Sequence, residues 1–154
     1  MAARAYRRRV KGSVARIDYE LYGRIMELVQ LDPYFDRRTS RSYRNSMYYA
    51  VKHGKCLTHY VNGELVGFCL WGFFTEQEIR TNTWDGDEAF ARERGEALYV
   101  SQFQCRAGAR EVVKFVRKIQ EELTARCPGV ETAAAHRLYS SGNKRNARWY
   151  RKSP

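Results

Sequence analysis

Cysteine and histidine are sparse and scattered. No two of the four cysteines, Cys56, Cys69, Cys105 and Cys127, form a C-x-x-C pair, and His53, His59 and His136 do not stand at zinc-ligand spacing. A metal site is therefore not expected. An even number of cysteines leaves a disulfide open, but the preferred reading is free, mostly buried thiols in a reducing compartment. Long apolar runs are also missing, so no membrane span is expected. The opening MAARAYRRRVKGS has no apolar segment behind it and does not read as a secretory signal. There is no internal repeat and no low-complexity linker, so a single domain is expected within the 154 residues. Acids are the scarcer sign: 17 Asp and Glu stand against 28 Lys and Arg, a net charge of +11. That excess bears on partners rather than on fold, and nucleic acid, an acidic protein surface and a phosphorylated cofactor all suit it.

The richest stretch runs from Leu98 to Cys127, LYVSQFQCRAGAREVVKFVRKIQEELTARC. Leu98 to Phe103 is aromatic and β-branched with few breaks, the mark of a strand inside a sheet. A small-residue loop, CRAGA, follows. From about Arg110 to Arg126 the residues Val112, Phe115, Val116, Ile119 and Leu123 recur at helical spacing and give one apolar face. Cys127-Pro128-Gly129 stops the helix. Strand, glycine turn and amphipathic helix make half of a crossover unit. The helix start, Gly108 to Glu111, offers free N–H groups to an anion. Strand-to-helix packing with no ligand explains the same pattern.

Around this core, residues 1–17 form a basic arm with Arg7, Arg8 and Arg9, read either as a solvated tail or as a contact arm. Residues 18–154 form the domain. Asp18 is placed to N-cap a first helix with Leu21, Ile25, Leu28 and Val29 on its apolar stripe. Arg37, Arg38, Arg41 and Arg44 cluster near the start of a second helix, Ser40 to His53, closed by Gly54. Their like charge opposes the helix dipole and is met by solvent or by an anionic partner. Lys55 to Val61 and Glu64 to Trp71 form a hairpin about Asn62-Gly63. Phe73 and Phe74 continue outward, and Glu76 to Ile79 is a polar connection. Asp87 caps a short helix from Glu88 to Arg94. Glu131 to Tyr139 is a last strand beside Leu98 to Phe103, and its Ala133, Ala134 and Ala135 call for close packing. In the tail, Lys144, Arg145, Arg148 and Arg151 flank Trp149 and Tyr150. That composition suits a nucleic acid or an edge strand with charged gatekeepers.

The order helix, helix, hairpin, connection, strand, long helix, strand resembles the GNAT acyltransferase fold. This is an α/β (α+β) architecture, a mixed central sheet with flanking helices. CLTHYVNGELVGFCLWGFF with its Cys-x-Trp, LYVSQF, GAREVVKFVRK and AAHRLYSSGNKRNARWYRK together resemble the RTX toxin-activating lysine acyltransferases. That resemblance implies transfer of a fatty acyl chain from acyl carrier protein to a lysine, served by a His and an Asp. Phe35 stands nearest the place of the family's His, and Ser101 stands at the place of its Asp. Phe moves no proton, and Ser carries no carboxylate charge. Asp36 and His59 lie near these elements without restoring the pair. The general GNAT mechanism implies a tyrosine acid, for which Tyr139 is the nearest candidate. The acyl-donor loop maps onto Gly108, Ala109 and Arg110, although the usual glycine spacing is not kept.

Three functions follow. The first is a non-catalytic or degenerate acyltransferase-fold protein that serves as a binding or structural component of a larger assembly, partnered by other proteins or by its own copies. A phage virion, in an internal or tail-associated place, is the instance this type suggests, which sets the expected location as cytoplasmic or virion-associated. The second is an active acyltransferase using acyl-CoA or acyl carrier protein, with Tyr139, Ser101 and His59 as its candidate residues. The third is a nucleic-acid binder working through the basic arm and tail.

Overall fold

The structure is a computed structural model and describes residues 17–31, 41–130, 132–135 and 148–151. Two helices enter first. The Asp18 carboxylate accepts from the Leu21 N–H at 3.0 Å and caps α1 (Tyr19–Gln30), as its position predicts. Ile25, Leu28 and Val29 are buried on its inner face, and Ile17, expected in the arm, packs against the same core. Helix α2 (Arg41–Lys52) buries Met47, Ala50 and Val51 and gives way to Gly54 at φ +69°.

Strands β1 (Cys56–Val61) and β2 (Glu64–Phe74) form the expected hairpin, with positive φ at both Asn62 and Gly63. That is the type I′ geometry that an Asn-Gly pair favours. Strand β2 runs past Trp71 to Phe74, and Phe73 and Phe74 are buried on opposite faces of the sheet rather than leading outward. The connection expected at Glu76 to Ile79 is a helix, α3 (Glu76–Thr81). A capping box makes it: Thr75 Oγ1 accepts from the Glu78 N–H, and the Glu78 carboxylate accepts from the Thr75 N–H.

The next helix, α4 (Gly86–Ala91), is capped by Asp85, not Asp87, and stops before Arg92 rather than at Arg94. Arg92 is pulled from helical geometry by its partners. Its guanidinium bonds the Glu78 carboxylate and the Phe73 carbonyl, and its own carbonyl accepts from Lys55 Nζ at 3.0 Å. Asp87 meets His53 Nε2 instead, at 2.7 Å.

Strand β3 (Ala97–Cys105), helix α5 (Ala109–Arg126) and strand β4 (Thr132–Ala135) follow, then β5 (Arg148–Arg151). The sheet order is β1-β2-β3-β4-β5, so the strand expected at the centre is central. Strands β3 and β4 are parallel, joined by the α5 crossover, and the remaining neighbours are antiparallel. The basic, aromatic tail segment Arg148–Arg151 is the outermost strand on its side among the described residues.

Each face of the sheet carries its own core. On one, α1 and α2 cover Phe68, Leu70, Phe74 and Tyr99. On the other, α5 covers Cys69, Trp71, Phe73 and Leu98 with Phe115, Ile119 and Leu123. Full burial of such side chains contributes about 1.5–3 kcal/mol each. Strand β2 alternates between the two faces along its length, so it reads as apolar almost without interruption. In β4, Ala133 packs to one core and Ala134 to the other, and their small size fits a strand covered on both faces.

Candidate functional site

A break in β3 organises the site. Leu70 pairs with Gln102 and Trp71 with Val100, so Ser101 is left over as a bulge. One extra residue inverts side-chain parity. Before it, Leu98 and Val100 face α5; after it, Phe103 and Cys105 do. Gln104 is turned to the opposite face, where its Nε2 donates to the Leu28 carbonyl at the end of α1, at 2.9 Å. Ser101 itself is buried, and its hydroxyl donates to the Leu70 carbonyl at 3.5 Å.

Beyond the bulge, β3 leads into Arg106, Ala107 and Gly108. Among the described residues, β4 pairs with β3 only at Leu98 to Val100, so the second half of β3 lies outside that parallel pairing. The carboxyl ends of parallel strands, beside a helix start, are where open α/β sheets bind ligands. Gly108 has φ +84°, a conformation that lets the chain turn into α5 without a side-chain cap. The first helical bond is Val112 N–H to Gly108 O, so the N–H groups of Ala109, Arg110 and Glu111 have no partner among the described residues. Phe103, Val113 and Val116 are exposed around this end of α5. Arg106 falls on the loop, Arg110, Glu111, Lys114 and Arg117 on the first half of α5, and Lys118, Glu121, Glu122 and Arg126 on its second half. In the first turn Glu111 suits the helix dipole and Arg110 opposes it, and in the last turn Arg126 suits it.

His59, on β1, is brought to the same end. Its Nε2 lies 2.9 Å from a Glu111 carboxylate oxygen, and both side chains are mostly buried. The His59 ring stacks on Phe115 with centroids 5.2 Å apart, and Phe103 stacks on Phe115 at 5.5 Å. Hydrogen bonding from His59 first, and then from Lys114 at 3.2 Å, holds the Glu111 carboxyl below the usual carboxylate range. Lys118 Nζ donates to the Thr58 carbonyl at 2.7 Å and fixes α5 over β1. A carboxylate that orients an imidazole is the arrangement of a general base and its support.

The sequence candidates thus divide. His59, Gly108, Ala109 and Arg110 come together. Ser101 does not join them: His59 is level with Gly67 on β2, whereas Ser101 lies between the rows of Leu70 and Trp71. At about 3.3 Å per residue, that is roughly 10 Å along the strands. Tyr139, Phe35, Arg7, Arg8, Arg9, Arg37, Arg38, Lys144 and Arg145 lie outside the described residues. Arg148 and Arg151 are placed by their backbones in β5.

Two features have no local signal in the sequence. Glu111 reads in the sequence only as part of a helix start, and its link to His59 comes from the closure of α5 over β1. Lys55 Nζ lies 4.8 Å from the Trp71 ring centroid and 5.2 Å from that of Phe73, and burial lowers its pKa. The buried Trp71 Nε1 beneath that layer has no hydrogen-bond partner among the described residues. The four cysteines are free; Cys69 is fully buried and Cys56, Cys105 and Cys127 are partly buried. Among the described residues no group of His, Cys, Asp and Glu is placed to hold a metal ion, and no helix is long and apolar enough to cross a membrane.

No protein-family model and no curated protein sequence matches this chain. Solved structures do. The loading GNATL domain of CurA from Lyngbya majuscula superposes with a TM-score of 0.57 at 13% identity, over 79% of this chain and 65% of that domain. The chain thus spans under two thirds of that relative's length. A candidate acetyltransferase from Staphylococcus aureus superposes with a TM-score of 0.53 at 11% identity, over 79% of this chain and 77% of the other. At such identities the likeness concerns architecture. With its mixed sheet, its β3–α5–β4 crossover and these neighbours, the chain has a GNAT-like acyltransferase fold.

Proposed function

We propose that this chain is a non-catalytic binding component built on the GNAT-like fold, working within a larger protein assembly, of which a phage virion is one instance. The observation that carries the reading is the state of Ser101. It stands where the RTX toxin-activating acyltransferases, the family this sequence resembles, have their Asp. Here the side chain is uncharged, buried and directed to the Leu70 carbonyl within the bulge. It shapes the strand and supports no base. With Phe35 nearest the place of the family's His, neither half of the RTX-type pair is present in the sequence. Fold alone does not carry activity.

The test is an acyl-transfer assay with the full chain, acyl-CoA or acyl carrier protein as donor, and a lysine peptide as acceptor. No acylated peptide above the uncatalysed rate is expected. Acylation that scales with protein concentration overturns the reading.

A second reading is favoured by one observation, the His59–Glu111 pair beside the open N–H groups of α5. In this reading the chain is an acyltransferase that abandoned the RTX pair. The donor's anionic portion lies against Ala109 to Glu111 with Arg106 and Arg110, its chain lies along Phe103 and Val113, and His59 takes the lysine proton. If transfer is observed, His59→Gln lowers kcat about 100-fold or more under this reading, in line with loss of a general base. Unchanged kcat removes His59 from the chemistry.

A further inference from the structure

We propose that the outward face of α5 is the docking surface for a protein partner whose own surface sets carboxylates around apolar side chains. The inference rests on the reading of the chain as a binding component and supplies the surface and the partner's chemistry. Arg110, Val113 and Arg117 follow one another at i, i+3 and i+7, so they share one stripe of the helix. The two guanidiniums bracket the valine across about 10 Å of helix axis. Val116 borders the stripe on one side and Lys114 on the other.

Val113 is 51% exposed and Val116 38%, although the rest of the apolar pattern of α5 is turned into the core. Lys114 is held by Glu111, but Arg110 and Arg117 have no ion-pair partner among the described residues. Arg110 stands in the first turn, where the dipole disfavours a cation, and Arg117 lies at mid-helix, so no contact among the described residues accounts for either charge. An external anion does.

The exposed valines decide which anion. A phosphate backbone neutralises arginines but gains nothing from apolar side chains between them. A protein surface gains from both, because interface cores are rich in arginine and apolar groups ringed by polar contacts. The same stripe is poorly matched to a second copy of itself, which would set arginine against arginine.

The test uses the full chain and two probes: a synthetic helical peptide with glutamates flanking a central leucine at helical spacing, and a short mixed-sequence DNA duplex. Binding is read by fluorescence anisotropy at fixed ionic strength. The peptide is expected to bind. Arg110→Glu with Arg117→Glu should weaken it about tenfold or more, and Val113→Ser with Val116→Ser about threefold or more. All four positions are exposed, so thermal denaturation should be unchanged, and this separates lost binding from lost fold.

Absence of peptide binding, binding indifferent to the α5 variants, or a duplex that binds more tightly than the peptide and ignores Val113 overturns the proposal. Acyl transfer in the earlier assay removes the non-catalytic reading and leaves the peptide result standing. A blank transfer assay with no peptide binding removes only this surface.

Discussion

The Phe115 ring occupies the space that a side chain on Gly67 would need: a Cβ on Gly67 would stand 3.1 Å from two ring carbons and 3.0 Å from the Gln104 carbonyl oxygen. This vacancy on β2 lets α5 settle onto the sheet, with His59 on β1 and Phe103 on β3 reaching the same ring from the two neighbouring strands. The candidate site is therefore built around a packing contact, and its stability follows from that contact.

Gly67→Ala should destabilise the fold by about 1–3 kcal/mol, because the carbonyl at Gln104 is backbone and cannot swing aside. Phe115→Ala should cost about 3–5 kcal/mol by leaving a cavity. The double variant should cost less than the sum, since removing the ring relieves part of the clash. Urea denaturation, with midpoints compared at constant slope, checks all three.

Acid should weaken the fold through two carboxylates. Burial alone would raise the Glu78 carboxyl, but hydrogen bonds from Arg92 and Thr75 outweigh it and hold the pKa below its ordinary 4.5. Glu111 is likewise held down, by His59 and Lys114. A carboxyl depressed in the folded state stabilises it above the unfolded pKa, and that stability is lost as pH falls through the folded value. Thermal midpoints should therefore begin to drop below about pH 4.5, and Glu78→Gln with Glu111→Gln should flatten the drop. An acid limb identical in the double variant contradicts the assignment.

Thiol chemistry should be quiet in the folded chain. Burial pushes the Cys56 thiol up to about 12, raises Cys69 as well, and raises Cys127. Since the thiolate is the nucleophile, iodoacetamide at pH 8 should label Cys56 and Cys69 far more slowly in the native chain than in denaturant. Peptide mass spectrometry reads the sites directly. Rapid native alkylation of Cys69 would contradict its burial.

Much of this architecture was legible in the residues. Asp18, Asn62-Gly63, the apolar spacing of α5 and the apolar run at Leu98 each announce a local element, and local elements in that order point to the fold. The structure departs from the sequence pattern where two signals compete. Asp85 and Asp87 both offer a cap; Asp85 takes the Glu88 N–H while Asp87 meets His53, and the helix end is set by Arg92, whose partners on β2 and α3 are distant in sequence. Thr75-x-x-Glu78 was a readable capping box hidden behind the polarity of its neighbours.

The bulge at Ser101 left a trace, the switch of α5-facing residues from Leu98 and Val100 to Phe103 and Cys105. Ala97 and Tyr99 mask it, because both faces of β3 are buried there. The His59–Glu111 pair left no local trace, because only the closure of α5 over β1 brings those two side chains together.

The most direct test of the central claim is native mass spectrometry of the purified full chain, with and without acyl-CoA and acyl carrier protein. The expected result is a homo-oligomer or a stable complex with a co-purifying protein, whose mass the donors leave unchanged and in which no acyl group is transferred. A monomer that binds donor and yields an acylated lysine product would contradict it and restore the enzyme despite Phe35 and Ser101.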